Sequence, residues 1–180
     1  MIQPASVCVR PNLLQRILLC TDGTVTHILE DFAGERITVR KLHEEIIKDT
    51  SPPHLLDIRE REEVMVRTVV LQGVRTGRNF IYAETLVRIE ALKDDLLQDL
   101  LHTDTPLGIL LRRRRMETFR ELVAFGSEDT GECARHFGVD PSAMALARTY
   151  RVSWGGRPVM LIMEKFPVDG ALQEEPARAR

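Results

Sequence analysis

Two spacings of apolar residues alternate along the chain and divide it into segments. After Asn12, whose side chain suits a helix start, Leu13, Leu14, Ile17 and Leu18 recur at helical intervals. TDG reads as a turn, and THILEDF resumes the helical pattern at Ile28, Leu29 and Phe32 until Gly34 stops it. ERITVRKLHEEI begins as a strand, with Ile37 and Val39 alternating against polar residues, and passes into a helical spacing around His43. KDTSPPHLL is rich in breakers and predicts a turn. EVMVRTVVLQG and FIYAETLVRI, joined by VRTGRN, predict a hairpin because β-branched and aromatic residues dominate both. ALKDDLLQDLL returns to helical spacing at Leu92, Leu96, Leu97, Leu100 and Leu101, and after TPLG a second helix is expected to include ETFRELVAF. Residues 148–154, the turn GGRP and residues 159–166 predict a last hairpin.

Hairpins separated by grouped helices predict an α+β domain, an antiparallel sheet covered on one face by helices. One domain is expected over residues 13–168, with residues 1–12 and 169–180 as flexible ends. A length of 180 residues with 43% apolar and 29% charged positions fits one core and excludes a disordered or collagen-like chain. Lys and Arg number 25 against 27 Asp and Glu, a net charge of −2 that argues against a nucleic-acid partner. No apolar run is long enough to span a bilayer, and the amino terminus lacks a secretory pattern, so a cytoplasmic protein without a membrane partner is expected. Cys8, Cys20 and Cys133 are scattered and read as reduced thiols. Cys133 and His136 have metal-like spacing, but zinc needs three or four ligands and no second cluster accompanies them.

The period of two in strands turns the search for chemistry into a search for polar groups pointing inward. Met65, Arg67, Val69 and Leu71 share one face of the first hairpin, and Pro158, Met160, Ile162, Glu164 and Phe166 share one face of the last strand. Each row carries one charge, which must pair with an opposite charge, serve a ligand or face solvent at an edge. The run Arg112 to Arg115 fans around its helix and reads as a solvated surface. His27 and His43 have no nucleophile and acid that the sequence sets beside them, and GVRTGRN lies in a hairpin turn and opens no helix, so it is no phosphate loop.

The order of these features over Leu13 to Pro167 resembles the chorismate lyase family, which removes pyruvate from chorismate to leave 4-hydroxybenzoate. The resemblance rests on LLxxxLLxxDGTVTxxLE, VMVRTVVL, FIYAETLV, TPLGxLL and RVSWGGRPVMLIMEKFP. It implies helices closing over an internal ligand cavity, a small-molecule substrate, no metal or organic cofactor, and a monomer or homodimer. It makes Arg67 the ligand of a substrate carboxylate. Leu107, with Gly108 beside it in TPLG, becomes a backbone contact, and Val25 a substrate contact from a helix. The resemblance sets Glu164 near the reacting ring as the proton-transfer group, and desolvation beside Met160, Ile162 and Phe166 would favour its protonated form and suit it to act as a general acid toward the leaving enolpyruvyl oxygen. Glu84 departs from the family, whose bacterial members tend to carry arginine there, and the run Arg112 to Arg115 is another source of the second cation. Ligand-sensing domains of transcription regulators share this fold and bind without chemistry, which keeps a non-catalytic binding domain as the alternative.

Overall fold

The structure is a computed structural model that describes residues 10–22, 25–48, 56, 62–92, 94–103, 105–170 and 172–173. Two helices, α1 (Leu13–Cys20) and α2 (Val25–Ala33), lead into the strands β1 (Ile37–Lys48), β2 (Glu63–Gly73) and β3 (Asn79–Arg88). Then come α3 (Asp94–His102), α4 (Leu107–Arg113), β4 (Thr118–Asp129), the short α5 (Ala134–Phe137), β5 (Met144–Trp154) and β6 (Arg157–Pro167). The sheet order is β1-β2-β3-β6-β5-β4. It is antiparallel throughout, two three-stranded meanders joined where β3 pairs with β6. The α+β expectation holds, with α1 to α4 laid over one face and α5 touching the other near β3.

Local chemistry explains the helix starts and stops. Asn12 and Gln15 form a reciprocal capping box at the start of α1. Gly34 ends α2 with φ 63°, a left-handed backbone that a side chain would strain. The turn expected at KDTSPPHLL lies almost wholly outside the described residues, as do most of the two ends expected to be flexible.

Two expectations fail for one reason. ETFRELVAF is strand, most of it in β4, and His43 lies in β1. The register slips between Leu122 and Ala124 in β4 and between Lys41 and His43 in β1. A bulged residue inserts one position into the alternation, so apolar residues three and four apart imitate a helix stripe.

The core beneath the helices falls into two clusters. One gathers Leu14, Leu18, Val25 and Leu29 of α1 and α2 over Val39, Val69, Leu71, Ala83, Leu146 and Phe166. The other gathers Leu96, Leu100, Leu110 and Leu111 of α3 and α4 over Met65, Val87, Val152, Met160 and Ile162. Along β2 the inward row passes from Met65 in one cluster through Arg67 to Val69 and Leu71 in the other. On β6 the break is Glu164, between Ile162 and Phe166; on β3 it is Thr85, between Ala83 and Val87; on β5 it is Arg148 and Tyr150, between Leu146 and Val152. The interruptions fall on two adjacent levels of the sheet, Arg67 and Thr85 with Tyr150 on one and Glu164 with Arg148 on the next, and form a polar seam across it.

Candidate active site

The seam borders a cavity closed by the helices. Its floor is Arg67, Thr85, Tyr150 and Glu164 with Val69, Val87 and Ile162, and its roof is Val25 and Thr26 of α2 with Leu107, Gly108 and Leu111 of α4. The space open to the centre of a water is about 70 Å³, several times the ~10–15 Å³ that one water needs. Val25, Arg67, Leu107, Gly108 and Glu164, the five residues singled out in the sequence, all lie in this wall.

Arg67 and Glu164 do not pair with each other. Arg67 is 5% exposed, and its Nε lies 3.3 Å from Oε2 of Glu44, its register partner on β1. The bulge in β1 makes this possible, since it transfers the inward orientation from odd to even positions and turns Glu44 toward Arg67. Glu164 accepts from Arg148 Nε at 2.7 Å and from the Tyr150 hydroxyl at 3.0 Å. A carboxyl set among Met160, Ile162 and Phe166 alone, as the strand pattern suggests, is therefore not what the fold builds. Burial, then the charge of Glu164, pushes the Tyr150 hydroxyl well above the usual phenol range, so it keeps its proton and donates.

Arg148 does more than hold Glu164. Its guanidinium lies 5.1 Å from the Tyr150 ring centre, and its terminal nitrogen donates to Thr21 O at 2.8 Å. Arg120 of β4 lies 5.9 Å over the same ring and donates to Asp22 O at 2.6 Å. Both arginines thereby tie the start of the α1–α2 connection to the sheet, and Arg120 is itself part of the cavity wall. Sequence reasoning missed Glu44, Arg120, Arg148 and Tyr150. The signal for Arg148 and Tyr150 was present as a polar break before Val152, but the strand begins at Met144, earlier than residue 148.

Glu84 lies on the other face. Ala83, Thr85 and Val87 turn toward the cavity, and Glu84 accepts from Tyr82 at 2.7 Å away from it. The departure from the family at that position therefore puts no carboxylate in the cavity. His27 and His43 contribute nothing to its wall. Among the described residues no three His, Cys, Asp or Glu side chains are placed to hold a metal ion, and no helix is long and apolar enough to cross a membrane.

An antiparallel sheet roofed by helices over a cavity with buried arginines and a carboxylate defines a small-ligand-binding α+β domain. The family described as "Chorismate pyruvate-lyase Rv2949c-like" matches residues 19–174, and the chain belongs to that family. It is 32% identical over 157 residues to a chorismate pyruvate-lyase of Mycobacterium tuberculosis, covering 84% of this chain and 78% of the relative. It is 26% identical over 161 residues to the putative lyase MJ0807 of Methanocaldococcus jannaschii, covering 88% and 80% respectively. Among solved structures, PhnF from Mycobacterium smegmatis superposes with a TM-score of 0.66 at 12% identity, over 82% of this chain and 65% of that one. The C-terminal domain of the histidine utilization repressor from Pseudomonas syringae gives 0.60 at 17% identity, over 81% and 99%. At such identities these two likenesses establish the fold alone.

Proposed function

We propose that the protein is a cytoplasmic chorismate lyase that eliminates pyruvate from chorismate and leaves 4-hydroxybenzoate. The observation that carries this reading is the meeting of Arg67, Arg120 and Glu164 in the wall of one cavity. Chorismate is a dianion. Arg67, steadied at Nε by Glu44, binds one carboxylate with the planar geometry that a lysine lacks, and Arg120 binds the other. Val25, Leu107 and Gly108 seat the ring against the helical roof, Leu107 through its backbone.

The elimination breaks the ring C4–H bond, whose electron pair completes the aromatic ring as the C3–O bond to the enolpyruvyl group opens. The released enolpyruvate takes a proton at its methylene carbon and becomes pyruvate. One proton is lost, one is gained and no electrons are exchanged, so the reaction balances without a cofactor. Glu164 is the proton-transfer group and takes the C4 proton; its pinning by Arg148 and Tyr150 as an acceptor supports that role. This replaces the general-acid role expected from an apolar setting.

Pyruvate release from chorismate, with chromatography of the aromatic product, tests the reading. Glu164→Gln should slow single-turnover chemistry by roughly 10²–10⁴-fold with little change in affinity for 4-hydroxybenzoate. A different aromatic product would overturn the assignment of 4-hydroxybenzoate, and near wild-type turnover by the variant would remove Glu164 from the chemistry. A second reading, a binding domain without chemistry, is favoured by the shape shared with regulator domains. Tight binding of chorismate by folded protein with no pyruvate released would decide for it.

A further inference from the structure

The run Arg112 to Arg115, which the sequence leaves as a solvated surface, is sorted by the fold into different tasks. Arg114 is held by Asp95 and Asp99 of α3, and Arg113 borders neither cavity. Arg112 and Arg115, three positions apart, face an outer recess of about 540 Å³. That recess shares Gly108, Leu111 and Arg120 with the wall of the inner cavity and so lies directly against it. The chain as a whole carries −2, yet here three arginines outnumber the two carboxylates that border the recess, Asp22 and Glu117.

A second, independent observation concerns Arg115 itself. It has φ 50°, in the left-handed region, directly after the end of α4. Met116 N–H returns to Leu111 O and Arg115 N–H to Arg112 O, which closes the helix in the manner that ordinarily recruits glycine. An arginine in that conformation is strained where a glycine is not. Arg112 is fixed differently, by donating to His27 Nε2 at 3.2 Å while His27 Nδ1 meets Glu30 at 3.1 Å.

We propose that Arg112, Arg115 and Arg120 form an anion-receiving vestibule that captures a dianionic substrate and passes it to the inner cavity. The proposal rests on the chorismate reading for the identity of the dianion. A cationic mouth raises the encounter rate of an anion and loses that advantage as salt screens it. Arg120 closes the vestibule and belongs to the inner wall, so the anion is handed from one guanidinium to the next.

The test is kcat/KM for chorismate at about 20 mM and about 300 mM salt, in wild type, Arg115→Gly, Arg115→Lys and Arg113→Gln, with thermal stability of each. Arg115→Gly should lower kcat/KM at low salt by about two- to tenfold and flatten its salt dependence, with kcat moving less. It should also melt at a higher temperature than wild type. Arg115→Lys should restore most of the salt dependence, and Arg113→Gln should behave as wild type. An unaltered salt dependence in Arg115→Gly, or a lower melting temperature, overturns the vestibule. If wild type releases no pyruvate, calorimetric titration with chorismate at the two salt concentrations replaces turnover. Salt-sensitive binding weakened by Arg115→Gly then refutes the lyase reading and upholds the vestibule. Turnover with salt-independent kcat/KM does the reverse, and absence of both binding and turnover refutes both.

Discussion

Replacing Arg148 by methionine keeps the length and most of the apolar volume of the side chain but removes the cation that faces Glu164. The pair is deeply buried, its side chains 3% and 8% exposed, so solvent screening does not soften the loss. Removing one partner of a buried pair costs roughly 3–5 kcal/mol, because the other charge remains without compensation. The donation to Thr21 O disappears as well, at about 1 kcal/mol, which places Arg148→Met at the upper end, roughly 4–5 kcal/mol. In a chain of this length each kcal/mol corresponds to about 2–4 °C, so the midpoint should fall by roughly 8–20 °C. Urea unfolding at neutral pH measures the change, and an unchanged slope shows that native compactness is retained. Adding Glu164→Gln to Arg148→Met should recover about 2 kcal/mol or more, since the amide no longer needs a cation. A loss below about 1 kcal/mol in Arg148→Met, or strict additivity in the double variant, would refute the reasoning.

Three further outcomes are expected. The Tyr82 and Tyr150 hydroxyls are both pushed upward, chiefly by burial, so the folded protein keeps protons that the unfolded chain releases near pH 10. Stability should therefore fall as pH rises above about 10, by at most ~1.4 kcal/mol per pH unit for the buried Tyr150 and by less for the part-exposed Tyr82, with Tyr150 tyrosinate absorbance appearing only on unfolding. Gln15→Ala should cost roughly 2–4 kcal/mol in denaturant unfolding, since Gln15 completes the capping box and donates to Val168 O at 2.8 Å and Pro167 O at 3.2 Å. Iodoacetamide at mildly alkaline pH should label the exposed Cys20 and spare Cys133, whose thiol is buried and pushed upward by that burial, as peptide mass spectrometry would read.

Much of this architecture is legible in the alternation of residue types, and the failures have a mechanical cause. Val64 to Leu71 and Ile81 to Arg88 pair without a bulge, so the inward row Met65, Arg67, Val69 and Leu71 follows directly from the period of two. β1 and β4 each carry a bulge, and after it every residue changes face. Glu44 was invisible as a partner of Arg67 for this reason, and Arg120 was hidden in what reads as a helix. The inward charges Arg67 and Glu164 stood out because their neighbours in the row are apolar. Thr85 and Tyr150 did not, because threonine and tyrosine belong in strands whether or not they face a ligand.

The polar seam also raises the question of why charges stand in the middle of the core. The fold itself accommodates widely different sequences, as superposition at 12% and 17% identity shows. Apolar residues of similar volume at Arg67, Arg148 and Glu164 would join the two core clusters into one, and replacing a buried ion pair in that way is often neutral or stabilising. Charges at these positions are thus poorly explained as devices for stability. Each is inward, each borders or braces the same cavity, and Arg148 and Arg120 also anchor the connection that leads into the helical roof. A ligand whose carboxylate engages Arg120, as proposed, therefore acts on the roof as well, because Arg120 also holds the connection that leads into it.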